Sequence, residues 1–67
     1  MQQYWLIATP KRGGDVQTRS IDAANDAEAI EAARLWKAGM LDGFHTLVQA
    51  AVALPGGEVG TVIGTAE

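Results

Sequence analysis

Few side chains in this 67-residue sequence are of a type that performs chemistry, and their spacing limits what each can do. His45 is the only imidazole and there is no cysteine, so one chain cannot supply a two-histidine or thiolate metal site. A Ser-His-Asp arrangement would have to draw on Ser20 or a threonine, and no strained nucleophile turn surrounds any of them. Beside Phe44, His45 reads instead as a surface or edge residue of a strand. Asp22, Asp26, Glu28 and Glu31 lie close together, but Asp26 and Glu28 point to different sides of a helix and no calcium-loop spacing is present. Helix capping and solvated charge account for them. Asp15 and Glu58 form a carboxylate pair on paper, each more simply a turn residue. No catalytic residue, metal ligand or cofactor is expected.

Two glycine pairs, Gly13-Gly14 and Gly56-Gly57, raise the question of phosphate cradles. Strands follow both pairs where a phosphate loop needs a helix, and no Lys-Ser/Thr adjoins either. Gly57-Glu58-Val59-Gly60 has the letters of a KH loop, yet its acid would repel backbone phosphates. The remaining candidate is aromatic and basic. Tyr4 and Trp5, with Lys11, Arg12 and Arg19 nearby, could form a stacking platform of the sort single-strand binders use. Packing of one aromatic under a helix competes with that reading, because strand alternation sends Tyr4 and Trp5 to opposite faces.

These residues must be positioned by a small number of elements. Tyr4–Thr9 is aromatic and β-branched, Pro10 ends it, and residues 11–15 can reverse the chain into a polar strand over 16–21. Asn25 caps a helix over 26–38, with Glu28 three places on. Ala29, Ala33, Trp36 and Met40 make its apolar stripe, Ile30 sits at the margin, and Gly39 is placed to stop it. Residues 44–54 fit helical and strand periodicity alike. The β-branched run after Pro55-Gly56-Gly57-Glu58 needs a neighbour, however, and a second hairpin supplies one. Gly13-Gly14-Asp15-Val16-Gln17-Thr18 is echoed by Gly56-Gly57-Glu58-Val59-Gly60-Thr61, which also favours strand. The expected fold is α+β: a single domain over 1–67 with a four-stranded antiparallel sheet and one helix on one face, in the order ββαββ.

Composition narrows the function classes. The chain is 48% hydrophobic and 19% charged, too apolar for a disordered tail. Net charge is -3 with a pI near 4.9, the opposite of a nucleic-acid footprint. No uninterrupted apolar span and no basic leader is present, so a cytoplasmic protein without membrane association is expected. One helix covers one side of a sheet, yet residues 4–8 and 47–54 are apolar on both parities. Apolar surface of that extent seldom stays exposed on a monomer, so the second side is expected to meet another chain.

The hairpin feeding Ile21-Asp22-Ala23-Ala24-Asn25-Asp26-Ala27-Glu28-Ala29-Ile30, followed by a helix and a second hairpin, resembles many small phage-encoded proteins. Some anti-CRISPR inhibitors of ββαββ type are similar in length and element order. That resemblance implies a protein that covers a surface on a Cas effector without catalysis, and it transfers no contact residues. The expectation is therefore a non-enzymatic module that occludes or scaffolds a larger protein or nucleoprotein complex, as a homodimer. Tyr4, Trp5, Lys11, Arg12 and Arg19 are its partner-binding candidates. The alternative is a small nucleic-acid binder using the aromatic and basic hairpin, although direct nucleic-acid contact is not the favoured partnership.

Overall fold

A computed structural model describes residues 1–66. It orders them as β1 (Gln2–Pro10), β2 (Gln17–Ala23), α1 (Asp26–Ala38), a 3-10 turn (Gly43–His45), β3 (Thr46–Ala53) and β4 (Val59–Thr65). The four strands form one antiparallel sheet in the order β2-β1-β3-β4, with α1 across one side. The expected ββαββ fold is thus present. Residues 46–53, ambiguous by periodicity, are a strand.

Local chemistry explains the elements. The Asn25 side chain accepts from the Glu28 backbone N–H at 3.0 Å, meeting one of the free amides at the start of α1. At the β3–β4 turn the Gly57 N–H donates to the Leu54 carbonyl at 2.9 Å, and Gly56 after Pro55 has φ +94°. That is the type II arrangement, which needs a residue tolerant of positive φ in third place. Gly13 and Gly14 adopt the same half of φ space, so the sequence echo is also a conformational one.

Tyr4, Leu6 and Ala8 of β1 and Val48 and Ala50 of β3 point at the helix and are buried. Ala29 and Ala33, fully buried, let α1 sit close above them. Ile30, Trp36 and Met40 close the margins, as the stripe predicts. Each fully buried Leu or Val contributes roughly 1.5–3 kcal/mol, which makes this short list most of the core's strength.

Gly39 caps α1, as expected, and does so with φ -84°, an ordinary right-handed value. The indispensable glycine is Gly43, buried where the chain folds back: a Cβ there would lie 2.2 Å from the Lys37 carbonyl oxygen. Leu54, expected in the third strand, lies beyond its end and is exposed.

Candidate functional site

Strand parity divides the aromatic pair. Tyr4 is fully buried beneath α1, where its hydroxyl donates to an Asp26 carboxylate oxygen at 2.7 Å. It cannot serve as a surface contact, which corrects its place among the candidates. That hydrogen bond, with burial and the charge of Asp26, raises the Tyr4 pKa above the usual tyrosine value. The neutral phenol is therefore the form the fold favours, and its stabilising contribution is present below the ordinary tyrosine pKa and lost as pH rises through the raised one. Tyr4 is the only tyrosine. Phenolate absorbance should therefore titrate late in one transition, and Asp26→Asn should bring that transition earlier. A wild-type titration at the free-tyrosine value would refute the contact.

Trp5 points the other way. Its indole N–H donates to the Gly57 carbonyl at 3.0 Å, reaching across the uncovered side of the sheet to the β3–β4 turn. Ala51 is 0% exposed although it faces that side; Trp5 is its partner in β1 and Val62 its partner in β4. The open face can be read in rows. Ser20, Trp5, Ala51 and Val62 form one row, and Thr18, Ile7, Gln49 and Thr65 the next. Thr9 and Leu47 begin a third. An apolar centre is thus edged by hydroxyls and amides. Charge lies only at the ends of these rows: Asp22 opposite Gln3 at one end, and Lys11, whose N–H donates to the His45 carbonyl, at the other.

The basic candidates are not brought to Trp5. Lys11 and Arg12 are exposed at the far tip of β1, where the Lys11 N–H donates to the His45 carbonyl at 2.8 Å. Five strand residues lie between Trp5 and Lys11, a separation of six steps or about 20 Å, and the indole leans away from the tip. Arg19 is opposite buried Leu6 and so lies on the helix side, its guanidinium carbon 4.8 Å from the centroid of Trp36. The stacking platform of aromatic and basic side chains does not assemble.

The other chemistry-bearing residues have structural partners. His45 meets the Phe44 ring edge-on at 5.3 Å between centroids. Glu31 and Arg34 form a two-pronged ion pair that lowers the glutamate pKa and raises that of the arginine. Among the described residues no three His, Asp or Glu side chains are grouped to hold a metal, and no helix is long and apolar enough to cross a membrane.

Three features were missed by sequence reasoning. Val59 and Val62 contribute exposed apolar surface to the open face, Leu41 and Phe44 stand out where α1 hands over to β3, and Arg19 pairs with Trp36. Only Leu35, apolar but off the helix's core stripe, carried a signal of a second surface on α1.

Comparison with protein families, with curated proteins and with solved structures finds no match. The ββαββ layout alone does not identify an anti-CRISPR protein.

Proposed function

We propose that this chain is a non-enzymatic protein-binding module that pairs with a second copy of itself through the open sheet face and, in that form, occludes or scaffolds a larger protein. The observation that carries this reading is the composition of the open face. Trp5, Ile7, Leu47 and Val62 lie together there, uncovered by any helix or strand among the described residues, with polar residues around them. An uncharged apolar centre with a polar rim is the composition of an interface core. It also allows two copies of a chain with net charge -3 to approach without like charges meeting at the centre.

Area supports the same occupant. The molecule measures 31 × 20 × 14 Å along its principal axes. With the shortest axis across the two layers, the broad face has a footprint on the order of 600 Å² and a self-paired face would bury roughly 1,200 Å² in all, where standard interfaces begin. Face-to-face pairing leaves both helices on the outside, free to meet a larger partner.

Light scattering across a dilution series tests the pairing. The mass should rise from 7.0 kDa towards twice that value as concentration increases. A mass that stays at 7.0 kDa throughout would remove the second copy from the open face. Inhibition of a Cas effector is the narrower form of the proposal. Chain length and element order are its support, and adding the purified chain to a Cas cleavage reaction tests it.

A further inference from the structure

The two edges of the sheet are built differently. β4 carries two shifts of register against β3 and has Gly60 and Gly64 in it, so its outer backbone is irregular. Bulges of this kind blunt an edge against further pairing. β2 has neither device. It pairs with β1 in unbroken register from Gln2↔Ala23 to Ala8↔Gln17, contains no proline or glycine, and is exposed over Gln17–Ser20. Every second residue of such an edge turns its N–H and C=O away from the sheet.

Beside that edge α1 presents a second stripe. Ala32, Leu35, Trp36 and Gly39 follow i, i+3, i+4, i+7 spacing, rotated from the core stripe. The opposite flank of the helix lies over β4, where a Cβ at Gly64 would meet Ile30. Together with Arg19 and Met40 the second stripe lines an open groove of about 540 Å³. Leu35 is 62% exposed there. Arg19 stacks on Trp36 and, among the described residues, has no carboxylate in ion-pair range.

We infer that β2 and this flank of α1 form a docking groove for an extended peptide segment of a partner protein, added to the sheet as a fifth strand. The backbone edge supplies sequence-independent hydrogen bonds, and the groove reads alternate side chains. A strand beside β2 sits about 4.8 Å away with every second side chain on the helix side. One such side chain, aliphatic, fills the space against Leu35 and Trp36. The next on that side, two residues along, is acidic and meets Arg19.

A second copy of the chain does not fit this edge. Antiparallel β2–β2 pairing puts same-face residues opposite each other, and the helix-side residues of β2 are Gln17, Arg19, Ile21 and Ala23. None is an acid, so Arg19 would gain no partner. The groove is also separate from the open face, and either surface can fail its test without the other.

The probe is a capped seven-residue peptide of threonines with one leucine and, two places on, one glutamate, titrated into the labelled full chain by NMR. Saturable amide shifts are expected over Gln17–Ala23 and residues 32–40, with the β3 and β4 residues of the open face, Leu47, Ala51 and Val62, unchanged. Leu35→Asp, at an exposed position, should weaken binding at least tenfold while the rest of the spectrum stays native. A peptide with lysine for glutamate should bind at least tenfold more weakly to the native chain and recover on Arg19→Glu. Proline replacing the threonine between the leucine and the glutamate should abolish binding, since it removes a strand donor. Absence of saturable shifts at β2, indifference to the charge swap, or concentration-dependent shifts at Arg19 and residues 32–40 without peptide would each overturn the inference.

Discussion

Gly43→Ala is expected to remove about 3 kcal/mol of folding stability, the upper end of what an overpacked site costs. The added methyl group would sit 2.2 Å from the Lys37 carbonyl oxygen and 3.3 Å from its carbon, both main-chain atoms of the last turn of α1. No side-chain rotation relieves such a clash, so the turn itself must move. The turn is held on both sides: the Gly43 N–H donates to the Met40 carbonyl, and the Thr46 hydroxyl donates to the Asp42 carbonyl at 2.8 Å. For a chain of 67 residues, whose whole stability is roughly 3–10 kcal/mol, the loss is a large fraction. Urea unfolding followed by helical circular dichroism measures it. Gly39→Ala, four residues earlier, is the paired comparison. A Cβ at Gly39 meets nothing closer than 3.7 Å and its φ suits alanine, so that variant should be neutral or gain about 0.4–1 kcal/mol. Equal unfolding midpoints for the two variants would contradict the fold-back geometry.

Charge placed on the open face should have the second large effect. Val62→Arg puts a guanidinium at a position 46% exposed on the edge strand β4, at the end of the Trp5–Ala51 row. In a self-paired face each substitution appears twice across the two-fold axis, so two cations are desolvated in the contact. Self-association should weaken by about 100-fold, the scale of losing a hot spot of 2–3 kcal/mol. Ile7→Arg, in the adjoining row, should do the same. Trp5 is the wrong residue to change, because it also shelters Ala51 and ties to the Gly57 carbonyl, so its loss would disturb the fold. Charge reversal of Lys11 and Arg12, at the far tip of β1, should leave the association constant within a factor of about two at moderate salt, where exposed charges a Debye length apart are screened. Dimers of Val62→Arg with native affinity would show that the open face is not the contact.

Much of this was legible before any coordinates. Asn25, the charge order along α1 and its alanine stripe specify a helix over 26–38, and its observed bounds are Asp26–Ala38. Both hairpin turns were legible too, because a glycine pair at positive φ is a requirement of a short stretch of backbone. The candidate site was legible only in part. Alternation separated Tyr4 from Trp5, but which aromatic lies under the helix depends on the pairing of Tyr4 with Ile21 and Val52, residues 17 and 48 positions away. Arg19 was grouped with the wrong aromatic for the same reason. Proximity along the chain suggested Trp5, while the sheet's parity turned it to Trp36.

What the chain's own order of residues determined is therefore its set of elements, their lengths and the sites where it reverses, since caps, propensities and φ requirements act within a few residues. Tertiary structure alone decided the β1–β3 pairing at the centre, the bulged and unbulged edges, the need for glycine at 43, and the face on which each candidate lies. Those outcomes depend on strand register. Register follows from which parity can be buried beneath a helix formed elsewhere in the chain, and a slip of one residue would exchange the two faces of a strand.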